Sequence, residues 1–329
     1  MKASDVKSSI IAMIEQNIPT FLWGAPGIGK SSIIRQIADE KKMGFIDLRL
    51  SLMDPTDLKG IPFYDKHEHS AVWAPPSFLP KDGSGVLFLD ELNSAPPAVQ
   101  ASAYQLILDR KVGEYELPSG WAIVAAGNRE SDRGVVYRMP SPLANRFVHL
   151  EMDVDVDDYK EWAYKSGIDE RIIAYIGYKN ENLFTFDATK NEKSFATPRS
   201  WEFVDKVVKS SMSERLLLGS VGGAVGHEIA VDFLSFCKVA DRLPDIDAIL
   251  RSGSGEYPSD VDVLYALSAG LVSKTLKNGE LVDNLLSYTM ELQSEFAVMI
   301  VQELQRQGVR MEHSEAFKSW VRKFSYLLS

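Results

Sequence analysis

Between positions 24 and 31 the chain reads Gly-Ala-Pro-Gly-Ile-Gly-Lys-Ser. Glycines at the first, fourth and sixth places let the backbone turn so that successive N–H groups face one anion without Cβ clashes. The run follows the short apolar stretch Thr20-Phe21-Leu22-Trp23 and precedes Ile33, Ile34 and Ile37. The first reads as a buried strand and the second has helical spacing, so a strand feeds the loop and a helix leaves it. The helix N-terminus adds the positive end of its dipole. In that context Gly24, Ala25, Pro26, Gly27, Ile28, Gly29, Lys30, Ser31 and Ser32 are the candidate phosphate-binding residues. Lys30 has the reach for β- and γ-phosphates, and the Ser31 hydroxyl can ligate Mg²⁺.

A second element of the same chemistry lies in Val86-Leu87-Phe88-Leu89-Asp90-Glu91. Carboxylates at the C-terminal end of a buried strand stand where α/β sheets place their sites. Asp90 is a candidate second Mg²⁺ ligand, mainly through water, and Glu91 a candidate to orient and deprotonate an attacking water. An acid beside the metal ligand favours hydrolysis over simple nucleotide storage. Three further polar residues fit as catalytic groups, each with a plainer reading beside it. Asn128 follows the apolar run from Trp121 and suits either the γ-phosphate or a turn next to Gly127. Arg146 precedes Phe147 and suits either transition-state charge, in cis or in trans, or a surface ion pair. Arg199 follows Thr197-Pro198 and suits either the γ-phosphate or an ordinary first helical turn, where the dipole disfavours a cation.

Taken together these residues resemble AAA+ ATPases, and more narrowly their MoxR-like subgroup. Gly24–Ser31 is similar to the Walker A segment and Val86–Glu91 to Walker B. Asp90-Glu91-Leu92-Asn93, then Ala95-Pro96-Pro97 and Gln100, is similar to the subgroup's signature after Walker B, with Ser94 where that signature often has arginine. Asp54-Pro55-Thr56-Asp57-Leu58-Lys59-Gly60 matches another of its segments. Asn128 matches sensor 1, Leu143–Phe147 the segment of the arginine finger, and Thr197-Pro198-Arg199 sensor 2 at the start of a lid helix. The resemblance covers roughly residues 18–205. It implies ATP and Mg²⁺ as ligands and a homo-oligomeric ring, commonly a hexamer, with Arg146 acting on a neighbour's ATP. It also implies chaperone-like remodelling of a protein partner, often one with a von Willebrand factor A domain. Arg133 and Arg138 stay open as alternatives to Arg146 for the finger.

These groups need a scaffold, and the apolar pattern supplies one. Short strands are expected at 20–23, 45–48, 86–89 and 121–126, and the unbroken apolar run at 86–89 suits a parallel sheet buried on both faces. They alternate with helical patterns at 3–17, 31–42 and 97–110, and a final strand is expected over 146–150. The stretch 51–84 holds Pro55, Pro62, Pro75, Pro76 and Pro80 and reads mostly as loops and turns, and 111–118 has hairpin character. Gly60–Ser70 and Lys111–Gly120 are candidates for a substrate-facing surface, or plain surface loops. After the acidic run at 151–158, a boundary or helix start, the pattern is helical, with a long helical stretch over 278–307. The expected fold class is α/β: a P-loop NTPase AAA+ core over 1–152 with a parallel sheet between helices. An α-helical lid is expected over 153–240 and a C-terminal helical extension over 241–329.

Composition sets the outer limits. With 329 residues, 45% hydrophobic and 25% charged, the chain is long enough for one large or two medium domains, and wholesale disorder is excluded. Thirty-six basic against 46 acidic residues leave a net charge of −10, which argues against a broad grip on nucleic acid. A single cysteine, Cys237, excludes an intrachain disulfide and any cysteine-based zinc site, and reads as a core thiol. His67-Glu68-His69 reads as exposed filler, Trp73 as packing, and no apolar run has the length of a membrane span. A cytoplasmic protein is expected. Two other readings remain: a nucleotide-dependent switch or scaffold with little turnover, and a nucleic-acid-associated AAA+ motor.

Overall fold

The apolar runs become five parallel strands in the computed structural model, which describes residues 1–67, 69–132, 137 and 139–327. Arg133 and Arg138 lie outside the described residues, as does Glu68. The chain divides into two units, one of Met1–Asp155 with Asp187–Asn191, the other of Val156–Phe186 with Glu192–Ser329.

Nine strands are found among the described residues of the first unit. They are β1 (Thr20–Trp23), β2 (Gly44–Arg49), β3 (Ile61–Asp65), β4 (Ser70–Ala74) and β5 (Gly85–Asp90), then β6 (Lys111–Val112), β7 (Tyr115–Glu116), β8 (Trp121–Gly127) and β9 (Val148–Glu151). The main sheet has the order β2-β5-β8-β1-β9, and every neighbouring pair is parallel. All six residues of β5 and all seven of β8 are buried, as expected of central strands covered on both faces. Around the sheet run α1 (Ala3–Glu15), α2 (Lys30–Glu40), α3 (Pro55–Lys59), α4 (Pro97–Asp109) and α5 (Ser141–Ala144). One face packs Phe21, Leu87, Leu89, Ile123 and Ala125 against Val99, Ala103 and Leu106 of α4. At the opposite end from the strand C-termini, the Trp121 ring fills space left by two glycines. A Cβ on Gly44 would lie 2.8 Å from that ring and one on Gly85 2.5 Å from it.

Three elements differ from the sequence expectation. The stretch 51–84 is not mostly loop: α3 starts with a capping box from Asp54 and Asp57, and β3 and β4 form an antiparallel ribbon. Arg146 lies in the turn before β9 rather than in the strand, because its N–H and that of Phe147 close back on Leu143 and Ala144. The 278–307 stretch is two helices rather than one.

The second unit is helical: α6 (Val156–Lys165), α7 (Glu170–Tyr178), α8 (Pro198–Val208), α9 (Glu214–Val225), α10 (His227–Cys237), α11 (Ile246–Ser252), α12 (Val261–Lys277), α13 (Val282–Thr289), α14 (Ser294–Arg306) and α15 (Glu315–Phe324). Leu264, Leu267, Leu271, Tyr288, Ile300 and Trp320 form much of its core. Inside this packing Lys160 of α6 forms an ion pair with Glu303 of α14, both side chains being at most 10% exposed. Arg306 Nη1 also pairs with Asp157 Oδ1 at 2.8 Å, so α14 is tied twice to the first helix of the unit. No helix of the described residues is long and apolar enough to cross a membrane.

A buried pair is costly to break by halves, because one charge then stays uncompensated. Lys160→Met should therefore lower stability by about 3–5 kcal/mol, while Lys160→Met with Glu303→Leu should recover most of it. Urea unfolding of the three proteins checks this; a double variant as unstable as the single one contradicts it. Cys237 is half-buried, and burial pushes its thiol up to about 11. At pH 8 it is thus almost wholly protonated. Ellman's reagent should label it roughly two orders of magnitude more slowly than free cysteine, since only the thiolate reacts.

Candidate functional site

The site grows from the C-terminal ends of three adjacent strands, β5, β8 and β1. β1 ends at Trp23 and the chain turns through Gly24–Gly29 into α2. Gly27 (φ 77°) and Gly29 (φ 100°) hold left-handed backbone that side-chain-bearing residues rarely adopt. Gly24 is required for space, since a Cβ there would lie 2.5 Å from Ile28 Cδ1 and 3.0 Å from the Met152 carbonyl oxygen.

Lys30 opens α2 and is buried, at 9% exposure. Its ammonium donates to the carbonyls of Gly24 at 2.6 Å and Ala25 at 3.0 Å, and to Asn128 Oδ1 at 2.9 Å. The loop from β1 and the residue after β8 thereby converge on one cation. Ser31 donates its hydroxyl to Asp90 Oδ2 at 3.0 Å, which brings together the two candidate Mg²⁺ ligands from β5 and α2. A hydroxyl beside a carboxylate is the hard-oxygen donor set that Mg²⁺ takes. The glycine cradle and the ammonium likewise suit phosphate oxygens.

Glu91 follows Asp90 with left-handed backbone (φ 57°) and donates its N–H to Asp90 Oδ1 at 2.9 Å. Its carboxylate accepts a hydrogen bond from the Ser51 hydroxyl and lies 3.9 Å from Arg49 Nε. Sequence reasoning missed both of these contacts. Their place at the end of β2, Arg49 in its last position and Ser51 two residues on, beside β5, is the signal that points to them. Asp47 of the same strand has its carboxyl raised above the usual range, by burial first and then by Asp90.

Asn128 is held in place by Asn93, whose Nδ2 donates to the Asn128 carbonyl at 2.8 Å. Arg129, the next residue, pairs with Glu151 and Asp153 through Nε at 2.6 Å and Nη2 at 2.5 Å. Arg146 is exposed in the turn between α5 and β9, on the side of β1 away from β8. Its guanidinium makes no hydrogen bond or ion pair among the described residues. Arg199 belongs to the second unit, exposed in the first turn of α8 after a capping box between Thr197 and Ser200. The structure therefore brings Lys30, Ser31, Asp90, Glu91 and Asn128 together within the first unit. Among the described residues no group of three or more His, Cys, Asp or Glu side chains forms a metal cluster. His69 Nδ1 is bonded to the Tyr64 hydroxyl at 3.0 Å.

Residues 20–149, which span β1 to β9, match the model of the ATPase family associated with various cellular activities (AAA). The matched segment is similar to an AAA-type domain. Its strand order and strand-end residues are those described above. Among solved structures, a RuvB mutant from Thermotoga maritima is 18% identical, with 96% of this chain and 86% of that chain covered and a TM-score of 0.41. NtrX from Brucella abortus with ADP is 13% identical, with 98% and 68% covered and a TM-score of 0.41.

One glycine of the first unit tests how Asn128 is positioned. A Cβ on Gly127 would lie 2.0 Å from Asn93 Oδ1 and 2.9 Å from Phe21 Cζ. Gly127→Ala must displace Asn93 and should cost about 1–3 kcal/mol by overpacking. In an Asn93→Ala background the same change should cost less. Equal costs in thermal unfolding of both backgrounds would show that the Asn93 contact is not the cause.

Proposed function

We propose that the protein is a MoxR-like AAA+ ATPase that hydrolyses ATP with Mg²⁺ at the subunit interfaces of a ring. The observation that carries the reading is the convergence of β1, β5 and β8 on two contacts, Lys30 with Asn128 and Ser31 with Asp90. Phosphate oxygens carry more charge than the carbonyl and amide oxygens that now accept from Lys30, so its ammonium can turn to them in stronger, charge-assisted bonds. The N–H groups of Gly27–Lys30 wrap the phosphates at the start of α2. Ser31 and Asp90 would hold Mg²⁺, which would supply positive charge to offset that of the phosphates. Glu91 takes the proton of the attacking water once its carboxylate leaves Ser51. Asn128 aligns that water or the γ-phosphate. Arg146 stabilises transition-state charge on a neighbour's nucleotide, and Arg199 reports nucleotide state to the helical part.

In this reading residues 153–240 are a lid, 241–329 a helical extension, and the ring, commonly a hexamer, remodels a cytoplasmic protein partner, one class being proteins with a von Willebrand factor A domain. Two exposed ribbons support a partner-facing surface. Ile61, Phe63 and Tyr64 of β3 are each more than half exposed. The second ribbon, β6–β7, is joined to the first by the Trp73 N–H donating to Glu114 Oε1 at 3.3 Å. A second reading, a nucleotide switch with little turnover, is favoured by one contact, the Ser51 hydroxyl on Glu91.

Glu91→Gln separates the two. On the ATPase reading it should bind nucleotide normally and lose turnover by about 100-fold or more, the range of general-base loss. Unchanged phosphate release would leave only the switch. Lys30→Ala should weaken nucleotide binding instead, as read by titration with a fluorescent nucleotide. Arg146→Ala should bind normally, lose turnover, and regain part of it when mixed with Glu91→Gln subunits. An unrestored mixture places Arg146 in cis or moves the finger to Arg133 or Arg138.

A further inference from the structure

His149 stands on β9, the edge strand beside β1. Its ring joins two elements that serve different nucleotide sites on the reading above. Trp23, the last residue before Gly24, donates its indole N–H to His149 Nδ1 at 2.9 Å. An indole nitrogen only donates, so Nδ1 is the bare nitrogen of a neutral imidazole and Nε2 carries the proton. Nε2 lies 2.8 Å from the Ala144 carbonyl oxygen, which only accepts. Ala144 ends α5, two residues before Arg146. The same imidazole stacks on Trp23, with centroids 6.0 Å apart at 25°, and meets Phe147 edge-on at 6.2 Å.

We infer that His149 is a positioning residue that fixes the Arg146 turn against the strand leading into the phosphate loop of the same subunit. The inference rests on the reading of Arg146 as a finger acting on a neighbouring nucleotide. With no side-chain partner of its own among the described residues, Arg146 is placed by the backbone that carries it. That backbone is held locally by the Arg146 N–H on the Leu143 carbonyl at 3.1 Å and the Phe147 N–H on the Ala144 carbonyl at 3.2 Å. The His149 bond is the polar side-chain restraint that ties this turn to β1, beside the apolar contact of Phe147 edge-on to Phe21 at 5.5 Å. A shift of the phosphate loop felt at Trp23 thus reaches the finger's turn through the hydrogen bonds of this ring, and a misplacement of about 1 Å at a reacting centre can cost as much as 100-fold in rate.

The test uses the full chain in three variants. His149→Phe keeps an aromatic ring and removes both polar bonds. His149→Gln keeps one acceptor and one donor. Arg146→Ala is the reference for a lost finger. Each is measured for nucleotide affinity with a fluorescent ATP analogue and for phosphate release, alone and mixed in equal amounts with Glu91→Gln. His149→Phe should bind within about twofold of the parent, turn over about tenfold more slowly, and recover on mixing, because Glu91→Gln subunits supply a well-placed finger. His149→Gln should regain at least half of the lost turnover. Unchanged turnover in His149→Phe, weakened binding without recovery on mixing, or a Gln variant no better than Phe each overturns the inference. Parent-like turnover in Arg146→Ala instead overturns the finger reading, and the inference with it. Loss of turnover in Arg146→Ala with none in His149→Phe defeats the inference alone.

Discussion

A cation taken out of water must be compensated, and the Lys30 ammonium is the place where this protein meets that demand. Its acceptors are two carbonyls of its own loop and the side chain of Asn128. The first two oblige the loop to curl back over its own lysine, which is why left-handed glycines stand at 27 and 29. The third obliges β8 to end beside β1. Asn93 then fixes Asn128, and Gly127 must stay bare so that Asn93 fits. Sheet order, loop shape and two short polar side chains thus follow from one buried charge.

The acidic side of the site is balanced differently. Asp90 is steadied by the Ser31 hydroxyl and by the N–H of Glu91, whereas Glu91 is turned toward Ser51 and Arg49. The two neighbouring carboxylates thus each find a different donor. The net charge of −10 therefore coexists with a phosphate site: the cations that matter are few and placed, and the surplus acid lies elsewhere or is paired.

The main sheet was legible because its strands are short, mainly apolar stretches between helical patterns, and the phosphate loop because its spacing has a backbone reason. Elsewhere the signals conflict. Prolines at 51–84 read as loop, yet Pro62 is tolerated in a two-stranded ribbon where one strand edge is free. Helical periodicity runs through 278–307 without a glycine or proline near 290–293, so nothing marked the break between α13 and α14. Helix α9 carries Gly219, Gly222 and Gly223, which lower helix propensity, and a Cβ on any of them would meet nothing closer than 3.6 Å, so the helix forms there against propensity. In the site, Lys30, Ser31 and Asp90 are found by motif. The partners Ser51 to Glu91 and Trp23 to His149 lie 40 and 126 residues apart and follow no motif, so only the folded sheet reveals them.

The Trp121 ring, wedged over Gly44 and Gly85, has a consequence for how the sequence can drift. A Cβ at either glycine collides with the indole, and one on Gly120 would lie 2.6 Å from the Gly83 carbonyl oxygen. No single step from this arrangement to one with side chains at 44 or 85 avoids a clash, and shrinking the indole first leaves a hole between β2, β5 and β8. Positions 44, 85 and 121 are therefore locked as a set, and relatives that depart from it must have changed more than one of them together.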